Sequence, residues 1–382
     1  MFSSRLLALL VAGCLGASSP AFAGQQVPSV VVPGKCGRGQ NQWFRDREFF
    51  DPLIADIRAP QIAFNYPAWA PEMPHSVVRG NRVVWDITVG RELPLFARAN
   101  FTPATKTAGC SGWGVWADVS FHVLEDFEDD SNPIVNTDYR FSLAKFKYYR
   151  VLSEGVKKVT GGELPTYRTL AFRVDVYHHE STHLGDEYVI LAQGLTPEEL
   201  AERGRRPFER FNVSYEFYDV GGAYNWENGA GQFTTIRAGT TGLLKPDKGY
   251  YSDHTLEPER RDVFRSKLSF EPYLQFEHHW PHPTIPAADG LPARQRFRPF
   301  VSIDARNRIV LDFYKASAEQ PEERQWSYNM LAGVRSWSGA GRFSIKEIYL
   351  RYYHGVNPNG QLRTEPDYWQ FGLGVNIATG DR

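Results

Sequence analysis

Beyond its first two dozen residues the chain has no apolar run of about eighteen residues, the length a membrane-crossing helix requires, so a helical membrane protein is excluded. A membrane barrel is not excluded, because each of its strands needs only about ten alternating residues. Cysteine is scarce, with 3 among 382 residues. Two of them, Cys36 and Cys110, are too few and too distant to make a metal site alone. Charge of either sign is also missing in excess. The 43 Lys and Arg are scattered among 44 Asp and Glu, for a net charge of -1, which leaves no basic face for nucleic acid. No internal repeat or low-complexity tract stands out.

The start of the chain has the form of a secretory signal. Arg5 precedes an apolar run from Leu6 to Gly13, and Ala21-Phe22-Ala23 gives an A-x-A cleavage site before Gly24. Residues 1–23 are therefore expected to be removed and the mature protein exported. A second reading takes Val11-Ala12-Gly13-Cys14 as a lipobox, with Cys14 as a lipid anchor. Export favours a disulfide between Cys36 and Cys110 over two unpaired thiols, and closing a loop of that span contributes roughly 4 kcal/mol in the chain-entropy model.

What the chain has in abundance is aromatic residues, 14% of the total, in a sequence whose mean hydropathy is polar. Alternation of apolar and polar positions gives that combination. Trp85, Ile87 and Val89 alternate with Asp86 and Thr88; Val115, Ala117, Val119, Phe121 and Val123 oppose Asp118, Ser120 and His122. Further period-2 runs occupy Asp138–Tyr149, Tyr167–Thr182, Phe211–Tyr218, Gln232–Thr240, Lys267–Glu277, Ser327–Trp337, Arg342–Tyr353 and Tyr368–Ile377, and Phe297–Tyr314 reads as a hairpin around Arg306-Asn307.

These runs make ten to twelve strands with one apolar and one charged face. In a soluble sandwich the charged face meets water, and in an outer-membrane barrel it lines the lumen. The export signal, the aromatic content and the last run, Gln370-Phe371-Gly372-Leu373-Gly374-Val375-Asn376-Ile377, favour the barrel, although Val375 and Ile377 stand where a closing strand usually has aromatics. The expected fold is all-β: an antiparallel transmembrane β-barrel of about twelve strands over residues 81–382. An N-terminal extension over 24–80 precedes it, with a short strand at Gln61–Tyr66 and turn-forming acids near Asp51-Pro52 and Asp56. A short helix is expected at Thr196–Arg203, where Thr196-Pro197-Glu198-Glu199 supplies an N-cap and a first-turn Pro.

The densest polar cluster is Tyr177-His178-His179-Glu180-Ser181-Thr182-His183-Leu184-Gly185-Asp186-Glu187-Tyr188. His179-Glu180-Ser181-Thr182-His183 matches the H-E-x-x-H pattern of zinc proteases, which needs a helix so that both imidazoles reach one ion. On a strand the same spacing separates the α-carbons by roughly 13 Å. The residues leading in, with Leu170, Phe172, Val174 and Val176 opposed to Arg173, Asp175 and Tyr177, read as a strand, so no metal and no cofactor is expected here. Unbroken alternation then places His179, Ser181 and His183 on the lumenal face with Arg173 and Asp175, at a barrel rim just beyond Val176. A bulge near His178-His179 would turn them to the lipid side.

The cluster resembles the Y-H-x-S-S-H-L-G-D-E signature of the bacterial envelope family called domain of unknown function 1207, with an additional His and with Thr182 where Ser is common. Asp51-Pro52-Leu53-Ile54-Ala55-Asp56, Arg298-Pro299-Phe300 and Tyr353-His354-Gly355-Val356-Asn357-Pro358-Asn359-Gly360-Gln361 are similar to it as well. The resemblance implies an exported envelope protein of uncharacterised activity. A wider likeness, to phospholipase and lipid A deacylase barrels, implies a His-x-Ser pair on a strand: Ser181 as nucleophile, His179 or His183 as base, and Glu216 or Asp186 orienting the imidazole, with Glu187 beside them. Against this serine-dependent lipid esterase stand a purely structural hydrogen-bond network at the rim and a passive pore or ligand-binding barrel polarised by Arg173, Asp175, Glu216, Glu271 and Arg351. Expected partners are Gram-negative outer-membrane lipids and the barrel assembly machinery, with no nucleic acid and a monomeric state.

Overall fold

The computed structural model describes residues 36, 39–43, 53–56, 59, 61–70, 82–100, 107–126, 134–159, 162–184, 212–228, 232–243, 270–280, 297–310, 324–336, 343–358 and 367–379. The strands are β1 (Gln40–Trp43), β2 (Ile62–Ala70), β3 (Arg82–Ala99), β4 (Ser111–Asp126), β5 (Ile134–Val159), β6 (Gly162–Leu184) and β7 (Asn212–Asn228). They continue as β8 (Phe233–Leu243), β9 (Phe270–His279), β10 (Phe297–Ile309), β11 (Arg324–Ser336), β12 (Phe343–Gly355) and β13 (Tyr368–Thr379).

Each strand from β2 to β13 pairs antiparallel with its chain neighbours, and β13 pairs back onto β2, so twelve strands close on themselves. Closure leaves no open edge and excludes a sandwich. β1 is the thirteenth strand and continues the position of β2 along the far half of β3. The short strand expected at Gln61–Tyr66 is therefore a wall strand, and the barrel begins within the stretch read as extension. The hairpin expected around Arg306-Asn307 is instead one continuous strand, β10, because Arg306 keeps the inward phase of Ser302, Asp304 and Arg308. The helix expected at Thr196–Arg203 lies outside the described residues.

The two faces separate by polarity in the way a bilayer demands. Outward positions include Val119, Leu143, Phe146, Phe172, Val176, Val220, Leu274 and Leu350, all more than 40% exposed. Trp43, Trp113, Trp226 and Trp280 stand toward the end where residues 160–161 and 229–231 make the connections. Trp69 and Trp326 stand toward the other end, where 185–211 and 244–269 connect the strands. An apolar band between two aromatic girdles on a closed barrel is the transmembrane arrangement.

The lumen is charged and filled. Arg306 pairs with Asp304 and Asp56 at 2.7 and 2.8 Å, Arg173 with Asp219 at 2.7 Å and Asp56 at 3.8 Å, and Lys145 and Lys147 both reach Glu92. The segment Leu53–Asp56 is buried inside this lining. The Ile54 N–H donates to Glu277, the Ala55 N–H to Ser302 Oγ, and Asn329 Nδ2 donates to the Ala55 carbonyl. Ile54 and Ala55 also pack against Phe300, Leu331 and Tyr349. Asp56 does form the expected turn, its N–H donating to Leu53 O at 3.0 Å, but its carboxylate anchors the segment to the wall.

Cys36 and Cys110 form a disulfide with α-carbons 5.3 Å apart, closing a span of 74 residues. Replacing both with Ser is expected to lower stability by roughly 4 kcal/mol, read as a drop in the urea midpoint of the folded barrel that reducing agent reproduces in the wild type.

Candidate functional site

The site is created by two bulges lying side by side. In β5 the inward positions are Asp138, Arg140 and Ser142, then Lys145 and Lys147, so the parity changes across Leu143-Ala144. In β6 they are Arg173 and Asp175, then His178, Glu180 and Thr182, so it changes across Val176-Tyr177. The register records both changes. The four residues of β5 from Ser142 to Lys145 span three of β4, Trp116 to Asp118, and the four of β6 from Asp175 to His178 span three of β7, Phe217 to Asp219. One extra residue in a period-2 chain exchanges its faces from there on.

The consequence corrects the facing expected from unbroken alternation. His179, Ser181 and His183 lie on the outer surface, half-buried among outward-facing aromatics, while His178, Glu180 and Thr182 take the lumenal face. Glu216, expected on the lumenal side, is outward too and stands directly opposite His179 across the β6–β7 ladder. Arg173, Asp175, Glu271 and Arg351 are lumenal as expected. Asp186 and Glu187 lie outside the described residues. The H-E-x-x-H string is wholly within β6, a strand and not a helix.

On the outer face Ser181 Oγ lies 3.3 Å from His183 Nε2, and His179 occupies the position on its other side. The Tyr177 hydroxyl donates to Glu216 Oε1 at 3.3 Å, and Glu216 interacts electrostatically with His179. Both imidazoles pack on rings from β5. His179 is 4.8 Å from Phe141, and His183 is 5.6 Å from Tyr139 in an edge-on contact. Ser181 itself faces Tyr139 in the ladder. A hydroxyl, two imidazoles and a carboxylate thus share one patch at the edge of the apolar band. A serine nucleophile needs a base to take its proton and an acid to hold that base, and these groups supply both.

Behind the patch, the lumenal face holds a separate network. Arg140 bridges Asp138 and Glu180, each at 3.3 Å, and His122 lies between Asp86 at 2.9 Å and Asp138 at 3.4 Å. Thr182 Oγ1 donates to Asn136, and Asn136 donates to Asp138. The sequence reading placed Tyr177 in the cluster but missed Tyr139 and Phe141 as its neighbours. It missed them because it carried a single phase through β6, although the parity change in β5, from Tyr139, Phe141 and Leu143 to Phe146 and Tyr148, is visible in the residues.

No family model matches the chain, and no curated protein matches it. Solved structures similar to it include an active-site mutant of outer membrane phospholipase A from Escherichia coli, with a TM-score of 0.38, 8% identity, and coverage of 94% of this chain and 95% of that one. A second structure of outer membrane phospholipase A from Escherichia coli aligns with a TM-score of 0.38 and 9% identity over 84% of this chain and 90% of that one. At that identity and score no residue role passes from them to this chain.

Proposed function

We propose that this chain is an outer-membrane barrel of a Gram-negative envelope that hydrolyses acyl esters of the surrounding lipids, with Ser181 as nucleophile, His179 as base and Glu216 orienting the imidazole. The observation that carries the reading is the β6 bulge, which puts Ser181 and both flanking imidazoles on the lipid side of the wall and leaves the lumenal polar network to other residues. His179 is taken as the base because Glu216 faces it across the ladder, and an imidazole that must carry a transient positive charge needs such a partner. His183 holds the serine hydroxyl in the resting arrangement.

In the reaction His179 takes the Ser181 proton as Oγ attacks the ester carbonyl. Glu216 stabilises the imidazolium, and the same imidazole returns the proton to the leaving alcohol. Water then repeats the sequence on the acyl-serine. Short connections mark the periplasmic end of such barrels and long ones the outer end, so a cluster at the end joined by residues 185–211 faces the outer leaflet. Export would follow from the leader over residues 1–23, and insertion would use the barrel assembly machinery. The passive-pore reading draws less support, because Leu53–Asp56 and its ion pairs occupy the lumen.

The test is fatty-acid release by the purified, folded barrel from phospholipid vesicles and from lipopolysaccharide, with labelling by a serine-reactive phosphonate in parallel. Release from neither lipid together with no labelling would remove the hydrolase reading. In the same assay Glu216→Ala is expected to lower turnover by roughly 10²-fold with the barrel intact, since the base loses its orienting charge.

A further inference from the structure

The two residues that flank the β6 bulge on the lumenal side, Asp175 and His178, meet Asp118 of β4 in a buried group whose ligand-type atoms all lie within 4.8 Å of one another. Asp118 is 3% exposed, Asp175 2% and His178 8%. The three line a cavity of about 30 Å³, room enough for a cation and a water ligand. We propose that Asp118, Asp175 and His178 form a lumenal binding site for a divalent transition cation of the zinc class, set directly behind the bulge.

Several features of the group point to a ligand. His178 Nδ1 lies 3.6 Å from Asp175 Oδ2, which is too long for a hydrogen bond. It is close to the separation of two donors on one tetrahedral ion with metal distances of about 2.0 to 2.1 Å. Asp118 Oδ1 is buried with no hydrogen-bond partner among the described residues, and so is His178 Nε2, the ring nitrogen other than the Nδ1 that faces Asp175. Asp175 is already oriented for ligation, because Ser142 Oγ donates to its other oxygen at 2.6 Å, the kind of outer contact that metal-binding carboxylates carry. Movements on the order of 1 Å in these side chains bring the three donors onto one ion.

Charge agrees with this. Lys145, Lys147, Arg173 and Arg306 are the cations paired with Glu92, Asp118, Asp56, Asp219 and Asp304, so four positive groups serve five carboxylates. Asp175, bonded to Ser142 and facing His178, adds a sixth. Two carboxylates in direct reach, Asp118 and Asp175, favour a cation there. Lys145 contacts Asp118 through Oδ2, which leaves Oδ1 for the metal. One imidazole with two carboxylates suits zinc or its first-row neighbours, whereas calcium and magnesium prefer oxygen donors alone.

The site also has a structural consequence. Asp175 and His178 bracket Val176-Tyr177, so an ion held by both fixes the extra residue in place and with it the outward facing of the strand beyond. This holds whether or not the outer patch is catalytic.

The experiment uses the full chain folded in detergent, stripped with EDTA, reloaded with Zn²⁺, desalted and assayed for metal, with Co²⁺ substitution read by visible absorption. The expected result is one equivalent of zinc per chain and cobalt bands of a site with a nitrogen ligand. His178→Ala and Asp175→Asn are expected to lose affinity by more than 100-fold, and Ser142→Ala by about 10- to 100-fold. The double variant His179→Ala with His183→Ala is expected to keep the metal, because its imidazoles are on the other side of the wall. Heat-modified gel migration identifies any variant that fails to fold. In that case the wild-type cobalt spectrum and the retention by the double variant decide. Less than a tenth of an equivalent in the wild type, zinc kept by folded His178→Ala, or zinc lost from the folded double variant would each overturn the site.

Discussion

Replacing Ser181 with Ala is expected to remove lipid hydrolysis by roughly 10³-fold or more while the barrel folds and shifts on a gel as the wild type does. The loss is large because, among the described residues, Ser181 carries the hydroxyl that stands between the two imidazoles, and what remains without a nucleophile is only lipid held near a polar surface. Ser181 is half-buried on the outer wall with its hydroxyl 3.3 Å from His183 Nε2, so removing one oxygen disturbs neither the ladder nor the lumen. The two imidazoles separate under the same assay. His179→Ala should cost about as much as Ser181→Ala, since nucleophile and base act as a unit. His183→Ala should leave activity within about tenfold, as in this reading it positions the hydroxyl and does not take its proton. The reverse order would move the role of base to His183, and an active Ser181→Ala barrel would end the serine mechanism altogether.

Arg306→Ala should be the most destabilising single change in the lumen, by about 3 to 5 kcal/mol. Arg306 is 1% exposed and its guanidinium holds Asp304 at 2.7 Å and Asp56 at 2.8 Å, while its carbon lies 4.8 Å above the Tyr273 ring. Truncation leaves Asp304 buried without the Arg306 cation and Asp56 with Arg173 at 3.8 Å in place of the closer partner, and the cost arises from those charges more than from the lost bonds. It also releases Asp56, and with it the anchor of the segment Leu53–Asp56 to the wall. Equilibrium unfolding in urea gives the loss directly. The double variant Arg306→Met with Asp304→Asn should recover part of it, because it removes one of the orphaned charges along with the cation. Equal stability of Arg306→Ala and wild type would mean that the lumen is wet enough to screen these pairs.

The barrel was legible in the sequence because strand alternation is a local property. Val115 to Val123 against Asp118 to His122, or Phe270, Leu274 and Phe276 against Glu271, Tyr273, Gln275 and Glu277, assign their own faces without any knowledge of neighbours. The same locality located the cluster at Tyr177–His183 and ruled it a strand and not a zinc-binding helix. Locality also set the limits. The acid in Asp56 could be read as a turn former, but its pairing with Arg306, 250 positions away, is a fact of the closed lumen.

The facing of the site was decided only in three dimensions. Period-2 alternation says which residues share a face but carries no marker for an inserted residue, and in β6 both bulge residues, Val176 and Tyr177, are large and partly apolar enough to fit either phase. Pairing resolves it, because β4 and β7 on either side impose their own registers on β5 and β6, and the surplus residue in each is forced out of the ladder. The sequence by itself determined a barrel wall, a strand through the polar cluster and the residues that compose it. The tertiary structure decided that His179, Ser181 and His183 look toward lipid, with Glu216 beside them, and that His178 looks inward toward Asp118 and Asp175, since only the neighbouring strands fix where the phase slips.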